Sequence, residues 1–204
     1  MLGNIEWLFF DLGSTLIDER YANAHRLRDA IRGTDISYDE ALARAKQLAK
    51  EGYAHPLKAL GLPLTPWHSE DERVYPEAAG CLAALRGSYR IGVIANQIPG
   101  TAERMKASGL APYLDLIVAS AEEGVEKPDL RIFQTALARA NCRPERAAMI
   151  GDRLDNDIVP AKRLGMTTIW VRQGFGACQT PRSQADTPDY TVNCLADLPA
   201  LPLF

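Results

Sequence analysis

The sequence Trp7-Leu8-Phe9-Phe10-Asp11-Leu12-Gly13-Ser14-Thr15 joins an apolar run to a turn that begins with a carboxylate. Four consecutive apolar residues are typical of a strand that is buried on both faces of a parallel sheet. A second apolar run, Ala147-Ala148-Met149-Ile150, ends in the same way at Gly151-Asp152. Because ligands usually bind at the carboxyl ends of parallel strands, the two runs predict one acidic site. Carboxylates that meet there repel one another, which predicts a bound hard cation such as Mg²⁺.

Further apolar runs predict the rest of a sheet. The candidate strands are Ile5 to Phe10, Arg90 to Ala95, Leu114 to Ala119, Ala147 to Ile150, Thr167 to Val171 and a short last strand, Tyr190 to Val192. Helical patterns lie between them, at Pro76 to Leu85, Gly100 to Ser108, Asp129 to Ala140 and Asp155 to Leu164, the last two followed by Asn141 and Gly165 as C-terminal caps. This alternation predicts an α/β fold with a doubly wound, parallel, Rossmann-like sheet.

The segment after the first strand has a different pattern. Residues 17–76 are helical and charged, without a confident strand, and Gly61 to Pro66 forms a turn back. We interpret this segment as a small helical cap, inserted after the first strand and lying over the mouth of the sheet. Residues 1–16 and 77–204 then form the α/β core.

The composition indicates an ordinary globular protein. The chain has 204 residues, of which 47% are hydrophobic and 24% charged, and a net charge of -3. Since nucleic-acid binders usually carry a basic face, we expect no nucleic-acid partner. No membrane span or signal segment is evident, which favours a cytoplasmic location without membrane attachment. Four widely spaced cysteines, without a Cys-x-x-Cys pair, indicate neither a zinc site nor disulfides. The sequence contains no indication of the oligomeric state.

The turn after the first strand has the residue types needed for attack on phosphorus. Asp11 at the strand end can act as the nucleophile, and the turn amides and the hydroxyls of Ser14 and Thr15 can face the transferring group. The alternative for Asp11 is that it caps the next segment. The same position in the turn would suit either role.

Two other segments supply candidate charged groups. Gly151-Asp152-Arg153-Leu154-Asp155-Asn156-Asp157 contains three aspartates, of which Asp155 and Asp157 also suit the start of a helix. Asp152 precedes that helix and is the preferred second metal ligand. Lys127 is a solvated loop charge or, beside an acidic site, the group that neutralises the attacking carboxylate and the phosphoryl oxygens.

Taken together and in this order, the motifs resemble those of the haloacid dehalogenase-like (HAD) hydrolase superfamily. They are Asp11-x-Gly-Ser-Thr, a strand ending in Ala95-Asn96, Glu126-Lys127-Pro128 and Gly151-Asp152-x-x-x-Asn156-Asp157. The resemblance spans nearly the whole chain and includes the position of the insertion. It implies a Mg²⁺-dependent phosphatase of a small phosphorylated metabolite, acting through an aspartyl-phosphate intermediate.

The resemblance also implies roles for single residues. Asp11 would be the nucleophile and a metal ligand, and the Gly13 carbonyl and Asp152 would be further ligands. Asp157 would support the metal or its waters. Lys127 would hold Asp11 and the phosphoryl group. From their own hydrogen-bonding groups, we also expect Asn96, Ser14 and Thr15 to contact the substrate.

The chain departs from the family pattern at two positions. Gly13 stands where the pattern has a second Asp, which protonates the leaving oxygen and later activates water; general acid and base catalysis of this kind contributes about 10²–10⁴-fold. Ala95 lacks the hydroxyl that usually ends the second motif. Asp18 or His25 of the cap could supply the missing acid, and Arg153 could reach a phosphate.

Four hypotheses follow from these residues. The first is the phosphatase described above. The second is a catalytically impaired phosphate-binding or regulatory protein on the same scaffold. The third, metal-free carbon–halogen displacement, fits the acidic run at 151–157 less well. The fourth, a phosphorelay receiver, would have its phosphorylated Asp at mid-domain.

Overall fold

The computed structural model of the protein describes residues 5–51 and 60–203. Its strands are β1 (Trp7–Phe10), β2 (Ile17–Asp18), β3 (Arg73–Val74), β4 (Arg90–Ala95), β5 (Leu116–Ala119), β6 (Ala147–Gly151), β7 (Thr167–Val171) and β8 (Tyr190–Val192). Its helices are α1 (Arg20–Ala30), α2 (Tyr38–Lys50), α3 (Ala78–Arg86), α4 (Thr101–Ala107), α5 (Ser120–Glu123), α6 (Leu130–Arg139) and α7 (Val159–Arg163). Residues 1–4 and 204 of the predicted core and 52–59 of the predicted cap lie outside the described residues.

Six strands form one parallel sheet in the order β5-β4-β1-β6-β7-β8. The central strand, β1, pairs with β4 on one side and with β6 on the other. Strand and helix alternate along the chain from β4 to β7, and helices cover both faces of the sheet. The predicted α/β, doubly wound, Rossmann-like fold is confirmed.

The side chains of β1 alternate between two cores. Leu8 and Phe10 belong to the cluster that includes Leu82 of α3, on one face of the sheet. Trp7 and Phe9 belong to the cluster on the other face, with residues of α6. A strand with period-2 geometry needs apolar residues at every position when both faces are covered, which explains the continuous apolar run.

The segment between β1 and α3 contains α1 and α2, which pack together through Leu27, Ala30 and Ala41. At its base, β2 and β3 form an antiparallel pair of two residues each. The sequence predicts no strand in this segment, because a strand of two residues cannot produce a detectable alternation. The boundaries of the cap at residues 17 and 76 remain a prediction.

The helix predicted from Asp155 to Leu164 has a different start. One wide turn with π-helical hydrogen bonding covers Leu154–Ile158, and the α-helix begins only at Val159. The suggestion that Asp155 caps this helix is wrong, because Ile158 is the capping residue of the α-helix and the Asp155 carboxylate accepts hydrogen bonds from the Arg153 guanidinium. Asn141 and Gly165 follow their helices with φ of 48° and 87°, as their predicted capping positions require.

The described helices are too short or too polar to traverse a lipid bilayer. The cytoplasmic location stays a prediction.

Close packing between β1 and β4 generates a prediction about stability. Gly92 pairs with Phe9, and a Cβ on Gly92 would lie 2.7 Å from two carbons of the Phe9 ring. Gly92→Ala is therefore expected to lower the free energy of unfolding by about 1–3 kcal/mol through overpacking. Urea denaturation followed by circular dichroism measures this change.

The matched control is Gly80→Ala, since a Cβ on this helical glycine meets no atom within 4 Å. It should raise stability by up to about 1 kcal/mol. Phe9→Leu should reduce the effect of Gly92→Ala when the two are combined, because the ring is the obstacle. Additive effects of the two substitutions would contradict this account.

Candidate active site

Asp11 and Asp152 lie side by side because they follow neighbouring parallel strands. The Asp11 amide extends the pairing and donates to the Ile150 carbonyl at 2.9 Å. Asp157 joins them from the wide turn after β6. One carboxylate oxygen from each aspartate lies within 4.8 Å of one from the other two, and all three residues are buried. The oxygens of positions 11 and 152 are thus close enough to share one ion.

Lys127 brings the positive charge to this cluster from the loop between α5 and α6. Its Nζ donates to Asp11 Oδ1 at 2.7 Å and to Asp157 Oδ1 at 2.6 Å. The ammonium is almost fully buried, with 1% of the side chain exposed. The sequence alternative of a solvated loop charge is therefore wrong.

Asn96 fixes the main chain of Lys127. Its side-chain nitrogen donates to the Lys127 carbonyl at 2.9 Å, and its side-chain oxygen accepts from the Lys127 amide at 2.7 Å. Since Asn96 directly follows β4, this pair of bonds ties the lysine loop to the edge of the sheet. The predicted contact between Asn96 and a substrate is untested, although the residue lies at the cavity wall.

The cluster carries more negative charge than one lysine can balance. Burial, and then repulsion by Asp157, Asp11 and Glu19, raise the pKa of Asp152 well above its usual range. Burial also raises the pKa of Asp157 to about 6, against the effect of Lys127. For Lys127, burial lowers the pKa, but the two aspartates outweigh it and the net shift is upward. This all-oxygen set of buried donors with excess negative charge fits a hard divalent cation.

Glycines allow the loops to approach the aspartates closely. A Cβ on Gly151 would lie 2.5 Å from the Asp157 carboxyl carbon, and a Cβ on Gly176 would lie 2.7 Å from Asp152 Oδ2. The Trp170 indole donates to the Asp152 carbonyl at 2.6 Å and steadies the main chain there. These contacts fix the orientation of the acidic groups.

The turn after β1 places its two hydroxyls differently. Ser14 has a φ of 55°, and its Oγ donates to Glu19 Oε2 at 3.1 Å. Thr15 is fully buried, and its hydroxyl has no hydrogen-bond partner among the described residues. Gly13 and Ser14 line the cavity. The predicted substrate contacts of both hydroxyls and the ligand role of Gly13 remain predictions.

A cavity of about 220 Å³ opens above the acidic cluster. Residues of α1 and α2 form its wall opposite the sheet, among them Asn23, Arg26 and Ala45. A third wall comes from the loop after β7, through Phe175, Gly176 and Gln179. The volume suits a small molecule held between the helical segment and the sheet.

Asp18 and His25, which the sequence offered as replacement acids, do not line this cavity. The Asp18 carboxylate accepts from the Arg20 guanidinium at 2.6 Å. His25 Nδ1 lies 2.8 Å from Asp71 Oδ2, and its ring stacks on that of His68. Neither side chain therefore faces the cavity above Asp11.

Sequence reasoning missed three contributors to the site. Glu19 lines the cavity beside Gly13, and burial, Asp11 and Glu72 raise its pKa to about 8. The other two are Trp170, whose apolar run Thr167 to Val171 predicts only packing, and Gly176, which lies in the loop after β7. The glycines of that loop are the sequence feature that could have indicated a close approach, but their number does not identify the residue that the loop approaches.

Arg153, a suggested phosphate contact, lines the cavity while its guanidinium pairs with Asp155.

Comparisons with known proteins agree with this architecture. The HAD-hydrolase-like family model matches residues 125–198. A glyceraldehyde 3-phosphate phosphatase from Methanopyrus kandleri is 30% identical over 217 residues, which cover 93% of each chain. The match extends across nearly the full length of both proteins.

Two solved structures show the same fold. A predicted phosphoglycolate phosphatase from Haemophilus somnus 129pt has a TM-score of 0.72 at 19% identity, covering 98% of this chain and 99% of that one. A 2-haloacid dehalogenase from Pseudomonas syringae has a TM-score of 0.64 at 23% identity, covering 96% and 97%. With the full-length relative, the family model and the arrangement of the aspartates and the lysine, the chain belongs to the haloacid dehalogenase-like hydrolases.

Proposed function

We propose that this hydrolase removes the phosphoryl group from a small phosphorylated metabolite, with Asp11 as nucleophile and Mg²⁺ as cofactor. The observation that carries the proposal is the buried Lys127 ammonium, which lies between Asp11 and Asp157 with Asp152 beside them. A lysine next to a nucleophilic carboxylate can stabilise the phosphoryl oxygens as charge shifts during transfer. The full-length relative named glyceraldehyde 3-phosphate phosphatase supports a small substrate.

Each active-site residue has its own role in the proposed reaction. Asp11 attacks phosphorus in line with the leaving oxygen and forms an aspartyl-phosphate, which water then hydrolyses. Asp11, Asp152 and the Gly13 carbonyl would hold the cation, and Asp157 would support its waters. When bound, Mg²⁺ neutralises phosphoryl charge and orients the ester. Lys127 holds Asp11, and residues 17–76 act as the cap that excludes bulk water.

A second candidate function is phosphate binding without efficient turnover. The absence of a carboxylate at Gly13 and of a hydroxyl at Ala95 favours it, since both groups serve catalysis in the family pattern. Turnover of p-nitrophenyl phosphate and of a panel of three- to six-carbon phosphate esters separates the two functions. Hydrolysis with Mg²⁺ above the Asp11→Asn background supports the phosphatase, and its absence supports the binding protein.

Asp11→Asn is expected to lower kcat by on the order of 10³-fold or more, because an amide cannot form the phosphoenzyme. Steady-state hydrolysis measures the fall in kcat. Beryllium fluoride, which mimics the phosphoryl group on Asp11, should form an adduct with the wild type and not with Asp11→Asn. Asp129→Asn is the matched control, since Asn can keep the capping bond that Asp129 makes at the start of α6. Equal rates for Asp11→Asn and the wild type would refute the assignment of the nucleophile.

Lys127→Met should reduce both activity and stability. Removing the ammonium leaves Asp11 and Asp157 buried without their partner, which should lower the free energy of unfolding by about 3–5 kcal/mol. Lys162→Met is the control, because Lys162 forms a partly exposed ion pair with Asp189. This substitution should lower the free energy of unfolding by at most about 1 kcal/mol. Similar losses for the two variants in urea denaturation would contradict the buried ion pair.

Mg²⁺ should raise the Tm of the wild-type protein, because an ion that binds the native state stabilises it. Asp152→Asn should reduce this rise, since one ligand oxygen loses its charge. Asp155→Asn, in the same loop but paired with Arg153 and Gln179, should keep it. A Mg²⁺-dependent rise in Asp152→Asn equal to that of the wild type would exclude Asp152 as a ligand.

A further inference from the structure

The space beside Gly13 is occupied by the carboxyl group of Glu19. A Cβ built on Gly13 would lie 2.8 Å from Glu19 Cδ and 2.9 Å from Oε2, and it would be closer still to Oε1. In an aspartate, the carboxylate oxygens lie about 2.4 Å from Cβ, from standard bond lengths. The Glu19 oxygens therefore lie about as far from this Cβ as the oxygens of an aspartate at residue 13 would.

Local structure holds Glu19 in this position. The residue immediately precedes α1 and has φ of -97° and ψ of 8°. Its neighbour Asp18 is fixed by the Arg20 guanidinium. Ser14, with its left-handed backbone, points its hydroxyl at Glu19 and donates to Oε2 at 3.1 Å. The glutamate is thus attached to the same turn that carries the nucleophile.

Glu19 also faces the reaction space. It lines the cavity together with Asp11, Lys127 and Asp152. Among the described residues that line this cavity, the carboxyl groups belong to Asp11, Glu19 and Asp152. Since Asp11 is the proposed nucleophile and Asp152 the proposed metal ligand, Glu19 is the carboxyl group without a role.

We propose that the Glu19 carboxyl group is the general acid and general base of the reaction, replacing the side chain that Gly13 lacks. The proposal rests on the proposed phosphatase function and identifies the group that would otherwise be missing from it. The supporting observation is spatial: a residue six positions later in the chain brings a carboxyl group into the space left by the glycine.

The proton transfers balance over both half-reactions. As the bond from Asp11 to phosphorus forms and the ester bond breaks, the Glu19 carboxyl group gives its proton to the leaving oxygen, which departs as an alcohol. Water then attacks phosphorus, Glu19 takes a proton from it, and the bond from phosphorus to Asp11 breaks. Inorganic phosphate leaves, and both carboxyl groups return to their starting states.

Glu19→Gln tests this role, because glutamine has the same shape and can still accept from Ser14 but cannot release a proton. For an alkyl phosphate such as glycerol 3-phosphate, kcat/KM should fall by on the order of 10²–10⁴-fold. For p-nitrophenyl phosphate, whose leaving group needs no proton, the first half-reaction should be nearly unchanged. A burst of nitrophenol followed by slow turnover should therefore appear.

The matched control is Glu77→Gln, another glutamate that precedes a helix without a side-chain capping bond, outside the cavity. It should show wild-type rates with both esters. Mg²⁺ binding and formation of the beryllium fluoride adduct should be the same in Glu19→Gln and the wild type, which verifies that the variant is folded.

An exchange of positions gives a second test. Gly13→Asp alone puts two carboxyl groups into one space and should lower activity. Glu19→Ala should lower it as well, whereas Gly13→Asp combined with Glu19→Ala should recover alkyl phosphate hydrolysis relative to Glu19→Ala. Recovery requires that the two positions serve one chemical task.

The outcomes separate this inference from the proposed function. Equal losses of kcat/KM in Glu19→Gln with alkyl and nitrophenyl esters, or no loss of kcat/KM with either, would overturn the role of Glu19 while leaving the phosphatase intact. A wild-type protein without hydrolysis of any ester and without a beryllium fluoride adduct would overturn both. A loss of kcat/KM confined to the alkyl ester, together with a burst of nitrophenol and slow steady-state turnover, supports the inference.

Discussion

The site depends on one buried ammonium group, that of Lys127. Three buried aspartates repel one another in a medium that screens charge poorly, and Lys127 bonds directly to Asp11 and Asp157. Removing water from such charges is costly, so the ion pairs of Lys127 with Asp11 and Asp157 are stable only where additional hydrogen bonds hold these residues in place. Asn96 makes two such hydrogen bonds to the main chain of Lys127. It can do so because it directly follows β4, the strand next to β1.

The remaining negative charge gives the site its chemistry. One lysine does not neutralise three aspartates, and burial, followed by repulsion among the carboxylates, raises the pKa values of Asp152 and Asp157. A divalent cation would offset the excess charge of the carboxylates and could also coordinate the oxygens of a phosphoryl group.

The parallel sheet determines where these groups meet. Because β1 and β6 are adjacent and parallel, the residues that follow them are brought to one edge. Glycines at positions 151 and 176 then allow loops to approach more closely than a side chain would permit. Gly13 belongs to the same set, but the space beside it is filled by a carboxyl group from the start of α1. A departure from the family pattern is thus compensated nearby in space.

The sequence by itself determined the sheet and the acidic strand ends, because apolar runs and their terminal charges are local features. It offered Lys127 only as a candidate, and the tertiary structure decided that its ammonium is buried between Asp11 and Asp157. The two-residue strands β2 and β3 and the wide turn at Leu154–Ile158 were not predictable, since neither leaves a periodic pattern. Only the tertiary structure decided that Glu19, rather than Asp18 or His25, lies beside Gly13. Which of several neighbouring carboxyl groups enters a cavity depends on backbone angles and side-chain partners, and these are fixed by packing between distant segments.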